Sequence, residues 1–463
     1  MRNICREWSS KEVWALHSRS IPIVMYLAAV FVVAGSLSAK AVTEVDITRG
    51  VVEPYPIAVT ELYGGGPEED EMGVSIADVV SADLERSGLF RSIDRGAFQQ
   101  SPKDVQLAPR FVDWRQINAQ FLVVGRVVFQ TDGQVRVEFR LWDVLAGQHL
   151  EGSSLTTPRR YWRRVSHLIS DIIYERVTGE GGYFDTRIVY VAESGPPGNR
   201  VKRLALMDQD GANHQFLTDG KHMALTPRFS PTVQEITYLS YYNDRPRVYI
   251  YNINTGRQEV LGDFPGMTFA PRFSPDGNKV IMSMARNGNS DIYVMDLRTR
   301  IVEKLTKHSA IETAPSYSPD GKRITFESDR SGRQQIYIMD AVPGGKEQRI
   351  SFGDGKYATP VWSPRGDWIA FTNIHKGIFS IGVMRPDGSD DRRVAKGYLT
   401  EGPTWAPNGR VLMFFREEQP VGDVAGEPRL YSVDITGTNE REIITPMDAS
   451  DPAWSPLIQP QAP

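Results

Sequence analysis

Four carboxylates, Glu312, Glu401, Asp448 and Asp451, stand just ahead of copies of one short sequence. Acids delivered from several repeats to one point are the oxygen ligands that a divalent cation needs for hydrolysis. Their offsets from the repeat differ, so they read as polar lining rather than as a ligand set. "DQDG" from Asp208 imitates the opening of a calcium loop, lacks its later ligands, and reads as a hairpin turn. A serine hydrolase of the elbow type needs G-x-S-x-G, which does not occur; H-E-x-x-H, C-x-x-C and G-x-x-x-x-G-K-[ST] are also missing. His149, His167, His214, His222, His308 and His375 are scattered along the chain. "RRYWRR", residues 159–164, interleaves basic and aromatic residues as nucleic-acid binders do, but reads more simply as a helix face with Tyr161 or Trp162 turned inward. No catalytic residue, metal site or cofactor is expected.

The elements that carry those acids repeat. "APRFSPDG" from Ala270 returns as "TPRFSPTV" from Thr226, "APSYSPDG" from Ala314, "TPVWSPRG" from Thr359, "GPTWAPNG" from Gly402 and "DPAWSPLI" from Asp451, with the first prolines 43 to 49 residues apart. Such a period marks a repeat architecture. Within one unit, "PRFS" is a short strand, Pro275-Asp276-Gly277 is a turn, and "KVIMSM", "DIYVMDL" and "VEKLT" supply three more strands. A four-stranded sheet of this size has two apolar faces, which radial packing covers. Six copies therefore predict a six-bladed β-propeller over 185–458, with a short C-terminal tail over 459–463. The region opens on "DTRIVYVAES", a second strand without its inner strand, and closes on "DPAWSP", an inner strand without followers. Closure of the ring by a C-terminal strand in the first blade is expected. The aromatic of each repeat, Phe229, Phe273, Tyr317, Trp362, Trp405 and Trp454, reads as packing between blades.

Residues 51–180 lack the period and read as a small α/β sandwich: a strand at "PIAVTEL", an acidic loop "GGGPEEDEMG", a helix from Val74 stopped by Gly88, three hairpin-linked strands from Phe121, and a long helix from about Pro158. Ahead of them, Arg2, Arg6, Lys11 and Arg19, an uncharged apolar run over 21–37 and Ala39-Lys40-Ala41 have the form of an export signal, so 1–41 is expected to be a cleaved leader and 42–50 a free N-terminal tail. A retained membrane anchor is the alternative. Cys5, the only cysteine, leaves with the leader. Removal of the leader shifts the net charge from −4 to −7, which argues against nucleic acid as a partner.

The signal, the α/β segment, the junction "YERVTGEGGYFDTRIVYVAE" and all six repeats together resemble the TolB family of the Tol-Pal system. Several repeats depart from Pro-Asp-Gly, which loosens the turn without disturbing the count. The resemblance implies a non-enzymatic periplasmic adaptor that links the inner-membrane Tol complex, through the C-terminal domain of TolA, to the peptidoglycan-associated lipoprotein Pal, and so serves outer-membrane integrity and constriction during division. It admits other outer-membrane proteins as partners and implies a monomer with no membrane insertion after cleavage. The rival is an exported propeller hydrolase, peptidase-like or lactonase-like. Pal is expected on the mouth of the propeller, built by His222, Met223, Thr226, Met267, Thr268, Phe269, Ala270, Glu312, Thr313, Tyr357, Thr400 and Glu401. The same side chains, folded down, would plug the channel. TolA is expected at Val42, Thr43, Glu44, Val45, Asp46, Ile47 and Thr48, whose alternating pattern suits addition to a partner's sheet, or else a disordered or self-docked tail. N-terminal sequencing of the chain from an envelope fraction should begin at or next to Val42; a start at Met1 on membrane-bound protein would contradict the leader.

Overall fold

The computed structural model describes residues 53–458, apart from 197, 243–244, 263, 265 and 423–425. The expected leader and the tail from Val42 to Thr48 lie outside the described residues.

The first domain is a five-stranded sheet. Strands β1 (Tyr55–Val59), β2 (Phe90–Ser92), β3 (Phe121–Phe129), β4 (Gln134–Asp143) and β5 (Gln148–Pro158) lie in the order β2-β1-β3-β4-β5. Strand β1 is parallel to both neighbours and the rest is antiparallel. Alternation along β1 and β3 sends Ile57, Val59 and Val123 to one face and Ala58, Leu122 and Val124 to the other. Helices α1 (Pro67–Arg86) and α4 (Trp162–Thr178) cover the first face; α2 (Pro102–Leu107) and α3 (Phe111–Gln116) cover the second through Val105 and Trp114.

Two readings of this domain change. The acidic run expected as a solvated loop forms the first turns of α1: Pro67 takes the position where a missing N–H costs nothing, and Glu68, Glu69 and Asp70 face the positive end of the helix dipole. Glu69 also accepts the Phe129 amide at 2.6 Å, which ties the helix to the sheet. Gly73 lets α1 approach closely, since a Cβ there would sit 1.9 Å from the Leu62 carbonyl oxygen. The last helix starts at Trp162 rather than Pro158, because β5 runs to Pro158 and a 3-10 turn follows.

The second domain is a ring of six four-stranded antiparallel sheets. The inner strands of blades two to six are Ala224–Phe229, Met267–Phe273, Glu312–Tyr317, Lys356–Trp362 and Leu399–Trp405, each beginning its own blade. Blade one is composite: Asp448–Trp454 pairs with Arg187–Ser194, which pairs with Val201–Asp208 and then Gln215–Phe216. Closure therefore uses the chain's C-terminal strand, as the phase of the repeats requires. The repeat aromatics pack between blades: Trp405 donates to the Val361 carbonyl of the preceding blade at 3.0 Å, and Trp454 shares an apolar cluster with Met413 of blade six while donating to Thr186 Oγ1 beside its own blade at 2.8 Å.

The two domains share one apolar core. Ile57, Ile76 and Ile173 of the first are continuous with Tyr183, Phe184, Ile188, Met413 and Trp454 of the second. Polar contacts fasten the rim: Glu180 lies 3.4 Å from Arg365 and 3.5 Å from Arg410, Asn408 donates to Gly181, and Asn439 and Arg441 donate to carbonyls at the end of α1. Arg365, Asn408, Arg410 and Asn439 belong to turns after the inner strand or after the third strand, and Arg441 opens the fourth strand next to such a turn. The α/β domain thus sits on that face of the ring.

Deleting residues 448–463 should remove the inner strand of blade one, bare a sheet edge, and produce aggregation or a melting temperature far below that of the full chain. Trp454→Ala, which keeps the strand but opens a cavity, should cost about 3–5 kcal/mol in denaturant unfolding. Unchanged unfolding in both variants would contradict closure by this strand.

Candidate functional site

On the other face, each inner strand starts beside the hairpin that joins its second and third strands. Met267 pairs with Ala285, Lys356 with Ile374 and Leu399 with Glu417. This face is the mouth, and the α/β domain leaves it uncovered.

The twelve residues expected there separate by burial. Met223 and Met267 are exposed. His222, Thr226, Phe269, Ala270, Thr313 and Glu401 are half-buried, and His222 packs edge-on to Tyr242 with centroids 4.6 Å apart. Thr268, Glu312, Tyr357 and Thr400 are buried. Tyr357 is fully enclosed, its hydroxyl 2.5 Å from Asp391 and its ring against Phe371, so it supports the mouth instead of facing a partner. Glu312 is held by Arg330. Sequence reading missed Tyr242, Phe352, Ile378 and Val421, all exposed around the same rim. A signal was present for Phe352, an aromatic set in the glycine-rich loop "SFGDG". Ile378, which opens a strand, looks like any other strand residue.

Beneath the mouth the four acids of the opening argument do not converge. Asp448 pairs with Arg200 and Glu312 with Arg330, which leaves Glu401 and Asp451 in the channel together with Glu327. Burial holds the carboxyls of Glu327, Glu401 and Asp451 above the usual range, and at Glu401 the neighbouring Asp451 and Glu327 add to it. Burial also lowers Arg228 and Arg272, with Asp451 opposing the fall at Arg228. The channel is thus lined by both signs of charge.

The repeat hides a backbone feature that propensity does not reveal. The residue before the first proline is left-handed in all six copies: Thr226, Ala270, Ala314, Thr359, Gly402 and Asp451 have φ between 47° and 67°. In all six blades the pairing register with the second strand slips at the same place, marking a bulge. The following proline has no amide to lose there. The amide of the bulged residue turns to the neighbouring blade: Ala314 donates to Ser283 Oγ at 3.2 Å and Thr359 to Glu327 Oε2 at 2.8 Å. Left-handed backbone costs a non-glycine residue roughly 1–2 kcal/mol. Ala270→Gly should therefore stabilise the chain by up to about 1 kcal/mol and Ala270→Val should destabilise it by a similar amount or more, as read by denaturant unfolding; equal stability of the three would deny the strain.

Comparisons with known proteins agree along the chain. A family model described as the TolB amino-terminal domain matches residues 43–150, and one described as the TolB beta propeller domain matches residues 174–458. The chain is 61% identical over 437 residues, covering 93% of itself and 97% of its relative, to a protein of Paramagnetospirillum magneticum named Tol-Pal system protein TolB. It superimposes on the crystal structure of TolB from Acinetobacter baumannii with a TM-score of 0.78 at 27% identity, covering 88% of this chain and 98% of that one.

Proposed function

This chain belongs to the TolB family and is a Tol-Pal system protein, and from that premise we propose that it works as a non-enzymatic periplasmic adaptor whose propeller mouth binds Pal and whose N-terminal tail, residues 42–48, binds the C-terminal domain of TolA. In that role it joins the inner-membrane Tol complex to the outer membrane and supports membrane integrity and constriction during cell division. The observation that carries this reading is the mouth itself. Met223, Tyr242, Met267, Ile311, Phe352 and Tyr398 are exposed large apolar side chains on the face that the α/β domain leaves free. Large apolar side chains exposed on several neighbouring loops of one face favour a contact site there, whose energy would concentrate in a few central residues. No helix among the described residues is long and apolar enough to cross a membrane.

Replacing Met223 or Met267 by Asp places a charge where the partner should desolvate an apolar group. Each change should weaken Pal binding by about 2 kcal/mol or more in calorimetry while leaving the melting temperature unchanged. Deleting residues 42–48 should abolish TolA binding and spare Pal. Ile47→Pro, which removes one main-chain donor, should reproduce the deletion if the tail pairs as a strand. Parental Pal affinity in both Asp variants would exclude this rim, and loss of both partners on deletion would show that the tail shapes the whole protein.

A further inference from the structure

A cleft runs along the seam between the start of α4 and blades one and two, and its inner part is a cavity of about 320 Å³. Arg160, Arg163, Arg164, His167 and Arg187 line that cavity against two acids, Asp185 and Asp208. Both acids are already engaged: Asp185 accepts from Arg164 at 3.2 Å, and Asp208 from Asn213 at 2.6 Å. The cations are not matched in the same way. Arg163 holds Asp210 through a terminal nitrogen, but its Nε is buried without a partner. Among the described residues the guanidinium groups of Arg160 and Arg187 form no ion pair: Arg160 lies over the Tyr161 ring at 4.8 Å, and Arg187 acts on Asp185 and Asp208 only at longer range. His167, 3% exposed, gives its Nδ1 proton to Asp83 at 2.6 Å, while Nε2 is buried with no hydrogen bond, 3.9 Å from Asp210 and 4.0 Å from Asp208. Helix α4 has no side-chain cap and no acid in its first turn, so the positive end of its dipole adds to the arginines that stand there.

Unpaired cationic donors gathered at an uncapped helix start, with a buried ring nitrogen lacking a hydrogen bond in the same wall, make an anion site. Every side chain of permanent positive charge in the wall is arginine. The planar fork of arginine matches the oxygens of a phosphate better than the point charge of lysine does. The rest of the ligand follows from the outer part of the cleft. A second cavity of about 360 Å³ shares Tyr161, Arg164, Arg187 and Ile458 with the first. Its other wall offers hydroxyl and amide groups from Thr157 at the end of β5 and from Thr232, Gln234 and Asn254 in turns of blade two. Between these groups stand the exposed apolar side chains of Tyr161, Val233 and Leu457. Polar groups interleaved with an aromatic ring and aliphatic surface suit a hydroxylated ring. A cleft set between two domains admits a soluble molecule and not a bilayer.

We propose that this cleft binds a small sugar phosphate, with the phosphate among Arg160, Arg163, Arg187 and His167 and the sugar against Tyr161, Thr157 and Asn254. The probe is glucose 6-phosphate titrated into the untagged exported chain at low ionic strength, followed by calorimetry and by the ¹⁵N resonances of the His167 imidazole. Inorganic phosphate, glucose and phosphatidylglycerol vesicles are run in parallel. One glucose 6-phosphate per chain is expected, with His167 Nε2 shifted by it and by inorganic phosphate but not by glucose. Arg160→Gln and Arg187→Gln should each weaken binding about 10-fold or more, the loss of a hydrogen bond to a charged group. Asn254→Ala should weaken glucose 6-phosphate and leave inorganic phosphate as in the parent. Arg333→Gln, in the hairpin between the second and third strands of blade four, should bind as the parent does. Should an arginine variant fail to fold, the His167 resonances of the parent still decide. Parental affinity in both arginine variants would overturn the site, and so would an unmoved Nε2 at saturation. Glucose 6-phosphate bound no more tightly than inorganic phosphate would deny the sugar. Attachment to the vesicles without saturable binding of glucose 6-phosphate would overturn the proposal in favour of a membrane surface.

Discussion

The pairing of Asp448–Trp454 with Arg187–Ser194 is the interaction on which both domains depend. It joins segments more than 250 residues apart, and the entropy of closing so long a loop grows only slowly with length, so one well-packed strand suffices. The strand does more than shut the ring. Trp454 donates to Thr186, and its ring stands edge-on to Tyr183 at 5.8 Å. Ser455 accepts the Arg187 amide at 2.8 Å, and Arg164 of α4 reaches the Ile458 carbonyl at 2.8 Å. Closing the propeller and seating the α/β domain are therefore one packing event around the residues that link the domains.

That link has little freedom. Asp171 of α4 accepts the amides of Phe184 and Asp185 at 2.7 and 3.0 Å, and burial outweighs those bonds to raise its carboxyl to about 7. Gly182 makes the approach feasible, because a Cβ there would sit 2.2 Å from the same carboxylate. With one face of the ring committed to this seat, strand side chains committed to neighbouring blades, and the bulged amides bonded to the preceding blade, the loops at the mouth are the part of the propeller least committed to internal packing.

The propeller was legible because its signals are local and redundant: the Pro-Asp-Gly turns, the alternating strands and the phase of the two ends each imply the same ring, and the structure has it. The left-handed residue before each proline was not, since a residue before proline is ordinarily extended and only the register slip exposes the bulge. Helix α2 went unseen for a different reason. It is six residues long, and its evidence is the reciprocal cap between Ser101 and Asp104, too short a pattern to show apolar periodicity. At the mouth, the sequence could not assign sides within the loops. Tyr357 and Met267 occupy comparable loops, yet alternation at the start of the inner strand turns Tyr357 inward and leaves Met267 in solvent.

Charge pairing explains why the sequence offered many candidates for chemistry and the fold kept few. Desolvated acids are costly unless a cation meets them. Glu312 meets Arg330, Asp448 meets Arg200, Asp185 meets Arg164 and Asp210 meets Arg163. The basic run that resembled a nucleic-acid motif is consumed in this way: Trp162 packs against the core, Arg159 lies over the Phe129 ring at 3.7 Å, and Arg163 and Arg164 bind acids of the propeller and its entrance. Around His167 the carboxylates at the joint between the domains are met unevenly. Asp83 has Arg86 and Asp210 has Arg163, but Asp208 has Asn213, a neutral partner, and burial raises its carboxyl above the usual range while His167 pulls it down. The carboxylates on both sides of the imidazole outweigh its burial and raise His167 to about 9, so a proton on the second ring nitrogen completes the electrostatics of the joint.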